Sequence, residues 1–272
     1  MVDRGNIMPY HGERTQMSGT GTLGKLIHVL EIVTASARPL RFTDILERSG
    51  QPRGTLHRQL MHLVEEGLLD HTDEQTYVAG LRLLTFASQA WNGNDLRSIA
   101  APHLRRLQEQ TGESVHLGVL RGTQIIYLDK IDGKHSVRMH SQIGRVSPAY
   151  CTGVGKAALS LLPEAVLNTT VSAMEFHSYT PHTIVSPAQL KQEVETIKKR
   201  GFGFDLEEHE TGIQCIAVPI VATGRSYSAA ISVTGPTYRL SRERLEGWAG
   251  IVCEAAANIS SDILVRTSPN HE

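Results

Sequence analysis

Asp205, Cys215, Ser232 and Thr234 are the residues of this 272-residue chain whose types and spacing best suit chemistry. Asp205 lies in the stretch Gly203 to Pro219, which turns apolar from Cys215 onward, and the apolar strand Ala229 to Val233 carries Ser232, with Thr234 two residues on. An acid, a thiol and two hydroxyls between greasy walls make the profile of a pocket that orients a small ligand, such as a carboxylate, and excludes water. An active site shares that profile, but it would need an activated nucleophile. Cys215 opens an apolar strand rather than a helix, so nothing in the sequence lowers its pKa, and no catalytic residue is expected. The chain has 13 histidines. His116, His140, Cys151 and Cys215 could approach one another, yet no two share a tight ligand spacing on one helix, so neither a metal nor a cofactor is expected. Gly153-Val154-Gly155-Lys156 mimics part of a phosphate loop without its full spacing, which argues against a nucleoside triphosphate.

The elements before this stretch suggest a DNA-reading head. Leu23, Leu26, Ile27, Leu30 and Val33 recur at helical spacing and predict a first helix that ends before Pro39. A second short helix follows, with Thr43 as its N-cap and Ile45 and Leu46 inward, and Gly50 turns into a third that starts with Pro52. There Leu56, Leu60 and Leu63 form the buried stripe and leave Arg53, His57, Arg58 and His62 outside, where a recognition helix meets the major groove. Gly67-Leu68-Leu69 and Thr76-Tyr77-Val78 flank the polar turn Asp73-Glu74-Gln75 as a hairpin, or wing.

Charge is divided. Arg38, Arg41, Arg48, Arg53 and Arg58 make the helical stretch basic, whereas Glu65, Glu66, Asp70, Asp73 and Glu74 should keep the wing from phosphate. The net charge of -1 implies modest nonspecific affinity for nucleic acid. A hydrophobic content of 40% and 272 residues suit two soluble domains, and no segment is apolar long enough to span a bilayer. Residues 1–20 lack an apolar core and are expected to be a loose tail. Three widely spaced cysteines argue against a disulfide framework and for a reducing cytoplasm.

Leu81 to Trp91 reads as a linker helix, broken by Asn92-Gly93-Asn94-Asp95, and a second helix, kinked or tightened at Pro102, runs to Thr111-Gly112. Beyond it, Val115 to Leu120 and Gln124 to Ile131 form a hairpin and Val137 to His140 a third strand. Helices are expected at about Gly155 to Leu162 and Pro187 to Arg200, strands at Cys215 to Ile220 and Ala229 to Thr234, and one long helix from Arg242 to Ile263. The organisation expected is a tail (1–20), a winged helix-turn-helix (21–80), a linker (81–95) and an α+β sensor domain with a mainly antiparallel sheet (96–272).

From about Gly21 to Ser261 the chain resembles the IclR family of bacterial transcriptional regulators. The resemblance is carried by Gly54-Thr55-Leu56-His57-Arg58, Tyr77 through Leu84, Ile143-Gly144-Arg145, Gly153-Val154-Gly155-Lys156-Ala157, Asp205 to Pro219 with Gly212 and Cys215, and Ala230 through Pro236. Glu113 to Gly118, Lys130-Ile131-Asp132 and Arg138-Met139 look most like the sugar-acid branch, that of the 2-keto-3-deoxygluconate repressor. Two departures stand out. Pro52-Arg53-Gly54-Thr55 replaces the family's Ser-Lys-Ser-Thr, which makes the operator sequence this chain's own, and Thr234 stands where the family often has serine.

The resemblance implies a GAF-like C-terminal fold and a homodimer or homotetramer on a double-stranded operator, with Arg53, Gly54, Thr55, His57, Arg58 and His62 at the DNA. It implies a small sugar-acid or 2-oxo acid effector bound by Val137, Met139, Gly153, Val154, Asp205, Cys215, Ser232 and Thr234. The Gly153-Val154 turn would offer backbone N–H groups to a carboxylate at a helix start. Repression relieved by ligand is the expected sign. The alternatives are an activator of the same architecture that answers an aromatic acid or lactone, and an enzyme acting on a small carboxylate.

Overall fold

The computed structural model describes residues 21–134, 142–222 and 227–267. The expected tail, and the strand Val137 to His140 with Val137 and Met139, lie outside them. The chain divides into two units between Gly93 and Asn94.

The first unit runs α1 (Gly21–Thr34), β1 (Leu40–Arg41), α2 (Phe42–Ser49), α3 (Arg53–Glu65), β2 (Leu69–His71), β3 (Thr76–Ala79) and α4 (Arg82–Asn92). Val29, Val33, Leu40, Ile45, Leu56, Leu60, Leu63 and Leu69 form its core. This is the expected winged helix-turn-helix, with local differences. Leu23 and Ile27 are exposed, because the apolar stripe of α1 is wider than a three-helix core can cover. The cap of α2 is not Thr43: Leu40 and Arg41 pair with Tyr77 and Thr76 of β3, which starts the helix at Phe42, and the Arg41 N–H donates to Asp44 Oδ2 (2.9 Å). Pro52 is the residue before α3 rather than its first. Gly50, at φ 60°, makes the tight turn between α2 and α3.

The second unit opens with α5 (Asp95–Thr111), whose cap Asn94 accepts the Arg97 N–H at 3.0 Å, and which runs unbroken through Pro102. β4 (Ser114–Arg121), β5 (Gln124–Ile131), β6 (Val146–Pro148), α6 (Gly153–Leu159), α7 (Glu164–Ser172) and α8 (Pro187–Arg200) follow, then β7 (Gly203–Leu206), β8 (Ile213–Ile220), β9 (Ala229–Pro236), α9 (Arg242–Gly247) and α10 (Ala249–Thr267). The sheet order is β6-β5-β4-β9-β8-β7, and every neighbouring pair is antiparallel. Alternation along each strand gives the sheet two faces. Val115, Leu117, Phe204, Ile216, Val218, Ile231 and Val233 pack with residues of α5 and α10 into one apolar core. The opposite face carries His116, Asp205, Cys215, Ala217, Ser232 and Thr234 and lies against α6.

The single helix expected from Arg242 to Ile263 breaks at Trp248 into α9 and α10, and α6 starts at Gly153 rather than Gly155. β6 and α7 were not legible in the sequence: the first is too short for alternation, and the second buries only Leu167 and Val171. Among the described residues no helix is long and apolar enough to cross a membrane.

Candidate functional site

Strand register brings together residues that are far apart in the chain. Asp205 pairs with Cys215, Cys215 with Thr234 and Thr234 with Ser114, which makes one row across four strands. Ala217, Ser232 and His116 form the next row on the same face. Ser232 Oγ lies 3.2 Å from Thr234 Oγ1, and both hydroxyls reach His116 Nδ1, at 3.5 and 3.3 Å. The first turn of α6 covers these rows. A Cβ on Gly153 would fall 2.3 Å from Cys215 Sγ and 3.6 Å from the Asp205 Cβ, so only glycine lets the helix close so tightly on the sheet.

Gly153 and Val154 therefore lie inside the first helical turn, not in a turn ahead of it. Their backbone N–H groups have no intrahelical acceptor at that position, and the Thr152 hydroxyl donates to the Pro148 carbonyl (2.8 Å) instead of capping them. The Val154 side chain points elsewhere, into the apolar cluster near Gly118 and Ile125.

Sequence reasoning did not assign His116, Lys156 or Glu208 to the site. Lys156 is fully buried and pairs with the Glu208 carboxylate, whose Oε2 is buried without a hydrogen-bond partner among the described residues. The Glu208 N–H donates to Asp205 Oδ1 at 2.8 Å. Burial, and then the Glu208 charge, push the Asp205 carboxyl up to about 7 against the pull of Lys156. Burial, with Lys130 second, lowers His116 to about 3, so its imidazole is neutral. Burial drives the Cys215 thiol up, which removes it as a nucleophile. Among the described residues no three His, Cys, Asp or Glu side chains converge as a metal set.

The raised Asp205 has a consequence for stability. Below about pH 4 folded and unfolded forms both hold the proton. As pH rises from there to about 7, only the unfolded form releases it, so this contribution to stability is lost across that window. His116 acts oppositely, its contribution vanishing as pH falls from 6.5 toward 3. Asp205→Asn should thus gain on the native chain by roughly 2–4 kcal/mol between pH 4 and pH 8 in urea unfolding. Parallel pH profiles for the two proteins would refute the assignment.

Asp205, Cys215, Ser232 and Thr234 are each less than a tenth exposed, so the constellation is closed. A surface recess lies in the first unit instead, lined by Phe42, Arg53, Gly54 and His57. Arg53, Gly54, His57, Arg58 and His62 are exposed along the outer face of α3, with Thr55 half-buried and Leu56, Leu60 and Leu63 beneath. Asp70, Asp73 and Glu74 are exposed on the wing, and Glu66 is engaged by Arg82, which also binds the Glu66 carbonyl at 2.7 Å.

Residues 22–73 match the family model described as the IclR helix-turn-helix domain, and residues 88–261 match that of the bacterial transcriptional regulator IclR C-terminal domain. The chain is 31% identical over 242 residues to the transcriptional repressor IclR of Escherichia coli (strain K12), covering 88% of each. It is 30% identical over 249 residues to the HTH-type transcriptional regulator KdgR of the same organism, covering 91% of this chain and 94% of that one. Among solved structures it is similar to the IclR of Thermotoga maritima, with 31% identity and a TM-score of 0.69 over 90% of this chain and 99% of that one.

Proposed function

The chain belongs to the IclR family of bacterial transcriptional regulators, and on that footing we propose that it represses catabolic genes in the cytoplasm, releasing operator DNA when a small sugar-derived or 2-oxo carboxylate occupies the site beneath α6. It is a regulator and not an enzyme. The observation that carries the ligand reading is the buried row of acid, thiol and hydroxyl groups covered by the first turn of α6, a helix start whose opening N–H groups have no intrahelical acceptor. In that arrangement Gly153 and Val154 hold the carboxylate by their N–H groups, Ser232 and Thr234 bind its other oxygens, and Asp205 meets a hydroxyl or hydrate. The ligand acts by binding the nonreleasing and releasing arrangements unequally.

Arg53 and Arg58 are the base- and phosphate-reading cations of α3, with Gly54, Thr55, His57 and His62 around them. A second copy of the chain supplies the matching half-site reader. Support for that pairing comes from α4, which buries none of its residues and exposes Leu84 and Phe86, with Leu81 just ahead of it.

The test is fluorescence anisotropy on DNA selected from a random library, with and without a panel of 2-oxo acids and sugar acids that includes 2-keto-3-deoxygluconate. Arg58→Ala should weaken DNA binding about tenfold and leave the ligand response intact. Ser232→Ala should abolish the response and leave DNA affinity unchanged. Folded variants that each lose both properties would sink the two-site reading.

A further inference from the structure

We propose that Phe42 is a specificity-determining residue for DNA: it acts through Arg53, holding the guanidinium over the recess at the start of α3 so that its fork meets a base edge already oriented. Phe42 opens α2 and Arg53 opens α3. The left-handed turn at Gly50 folds the chain back so that these two helix starts become neighbours. The Arg53 Cζ lies 5.1 Å from the Phe42 ring centroid, and the His57 ring lies 6.2 Å from it at an interplanar angle of 56°. Phe42 is half-buried, packed in part against the apolar core of the first unit, and its ring also meets these two side chains.

The two contacts expected of Arg53 use different parts of the group. Stacking on an aromatic ring engages the flat face of a guanidinium, whereas paired hydrogen bonds to the O6 and N7 of guanine engage its edge. The ring therefore fixes the side chain without consuming the donors that read a base. A long exposed arginine otherwise loses rotamer freedom when it docks, and a pre-stacked one has already lost much of it.

Gly54 points the same way. A Cβ there would meet nothing within 4 Å, so the fold does not require glycine, although glycine costs a helix roughly 1 kcal/mol relative to alanine. The space is open on the outer side, in the recess that Phe42, Arg53, Gly54 and His57 share. A base edge approaching Arg53 enters over a bare Cα.

The inference rests on Arg53 reading a base, as proposed above, and one experiment separates the two. Duplexes selected from a random library are compared for the native chain, Arg53→Ala, Phe42→Leu, Phe42→Tyr and the double variant Phe42→Leu/Arg53→Ala, each checked for its melting temperature. Arg53→Ala should flatten the preference at one base position and its symmetry mate. Phe42→Leu, which keeps apolar bulk on the core side, should relax that same position by about two- to fivefold and leave the others unchanged. Phe42→Tyr should restore it, and Phe42→Leu should add nothing once Arg53 is alanine. Unaltered preference in Phe42→Leu, a uniform loss of affinity at every position, or an equal effect in the Arg53→Ala background would overturn the role of Phe42. If Arg53→Ala alters no position, Arg53 reads no base and both statements fall together.

Discussion

Gly155→Ala unfolds the C-terminal unit about 10 °C earlier than in the native chain, while residues 21–93 melt where they did. That is the expected calorimetric result. A Cβ at Gly155 would lie 2.3 Å from the Ala149 carbonyl oxygen and 2.5 Å from the Ala149 Cα, backbone atoms that no rotamer change can move. Overpacking of this kind costs about 3 kcal/mol, and in a unit of this size each kilocalorie lowers the melting temperature by roughly 2–4 °C. Gly250→Ala is the control, because a Cβ there meets nothing within 4 Å and alanine is the better helix former. Gly155→Ala melting together with Gly250→Ala would show that α6 has room to shift, and the tight closure described for the site would be wrong.

Lys156→Met has a comparable effect for a different reason. Lys156 is 1% exposed and offsets two carboxyl groups, Asp205 and Glu208, both already pushed toward their protonated forms by burial. Methionine fills the space and leaves the charges. Removing one partner of a buried pair typically costs about 3–5 kcal/mol. The loss should be greatest above neutral pH and should shrink toward pH 4, where the folded form keeps protons on both carboxyls, because stability tied to a raised carboxyl pKa is present at low pH and lost as pH rises. Lys156→Met/Glu208→Gln should recover most of the deficit. Urea midpoints at pH 5 and pH 8 decide the matter: equal losses at both would mean that Lys156 contributes packing and not charge.

Much of the fold was readable because the punctuation is local. Ser186 with Pro187 starts α8 and Gly201 stops it, Asn94 caps α5 and Gly112 ends it, and the wing follows from two short β-rich runs around a polar turn. The site was readable in part. Ser232 and Thr234 share a face by the period of two, and their meeting with Asp205 and Cys215 followed from the family resemblance. His116, weighed only as a metal ligand, and Glu208 were not assigned to the site because their roles arise from pairing across the fold. His116 meets residues 116 and 118 positions away, and Glu208 meets Lys156 across 52. A signal for His116 was present: it is the polar interruption in the run Val-His-Leu-Gly-Val, buried on a strand that has no reason to hold a solvated imidazole. The break at Trp248 was marked only by Gly247, the last residue of α9, a single glycine that a helical pattern can also run through. The stripe on α1 misled because apolar spacing gives a helix its greasy side but not how much of that side a small core can take.

His116 lies two residues into β4, and β4 follows α5 after only Gly112 and Glu113. The 17 residues of α5 span about 25 Å at 1.5 Å per residue. Pivoted at its Gly112 end by about 5°, such a rod swings its far end by about 2 Å. That far end is Asn94, where the chain passes back toward the DNA-reading unit. Two readers must straddle one helical repeat of the duplex to engage both half-sites. On the function proposed above, a lever of this length would turn a fraction of an ångström at a ligand oxygen into a misfit of the gauge between paired readers.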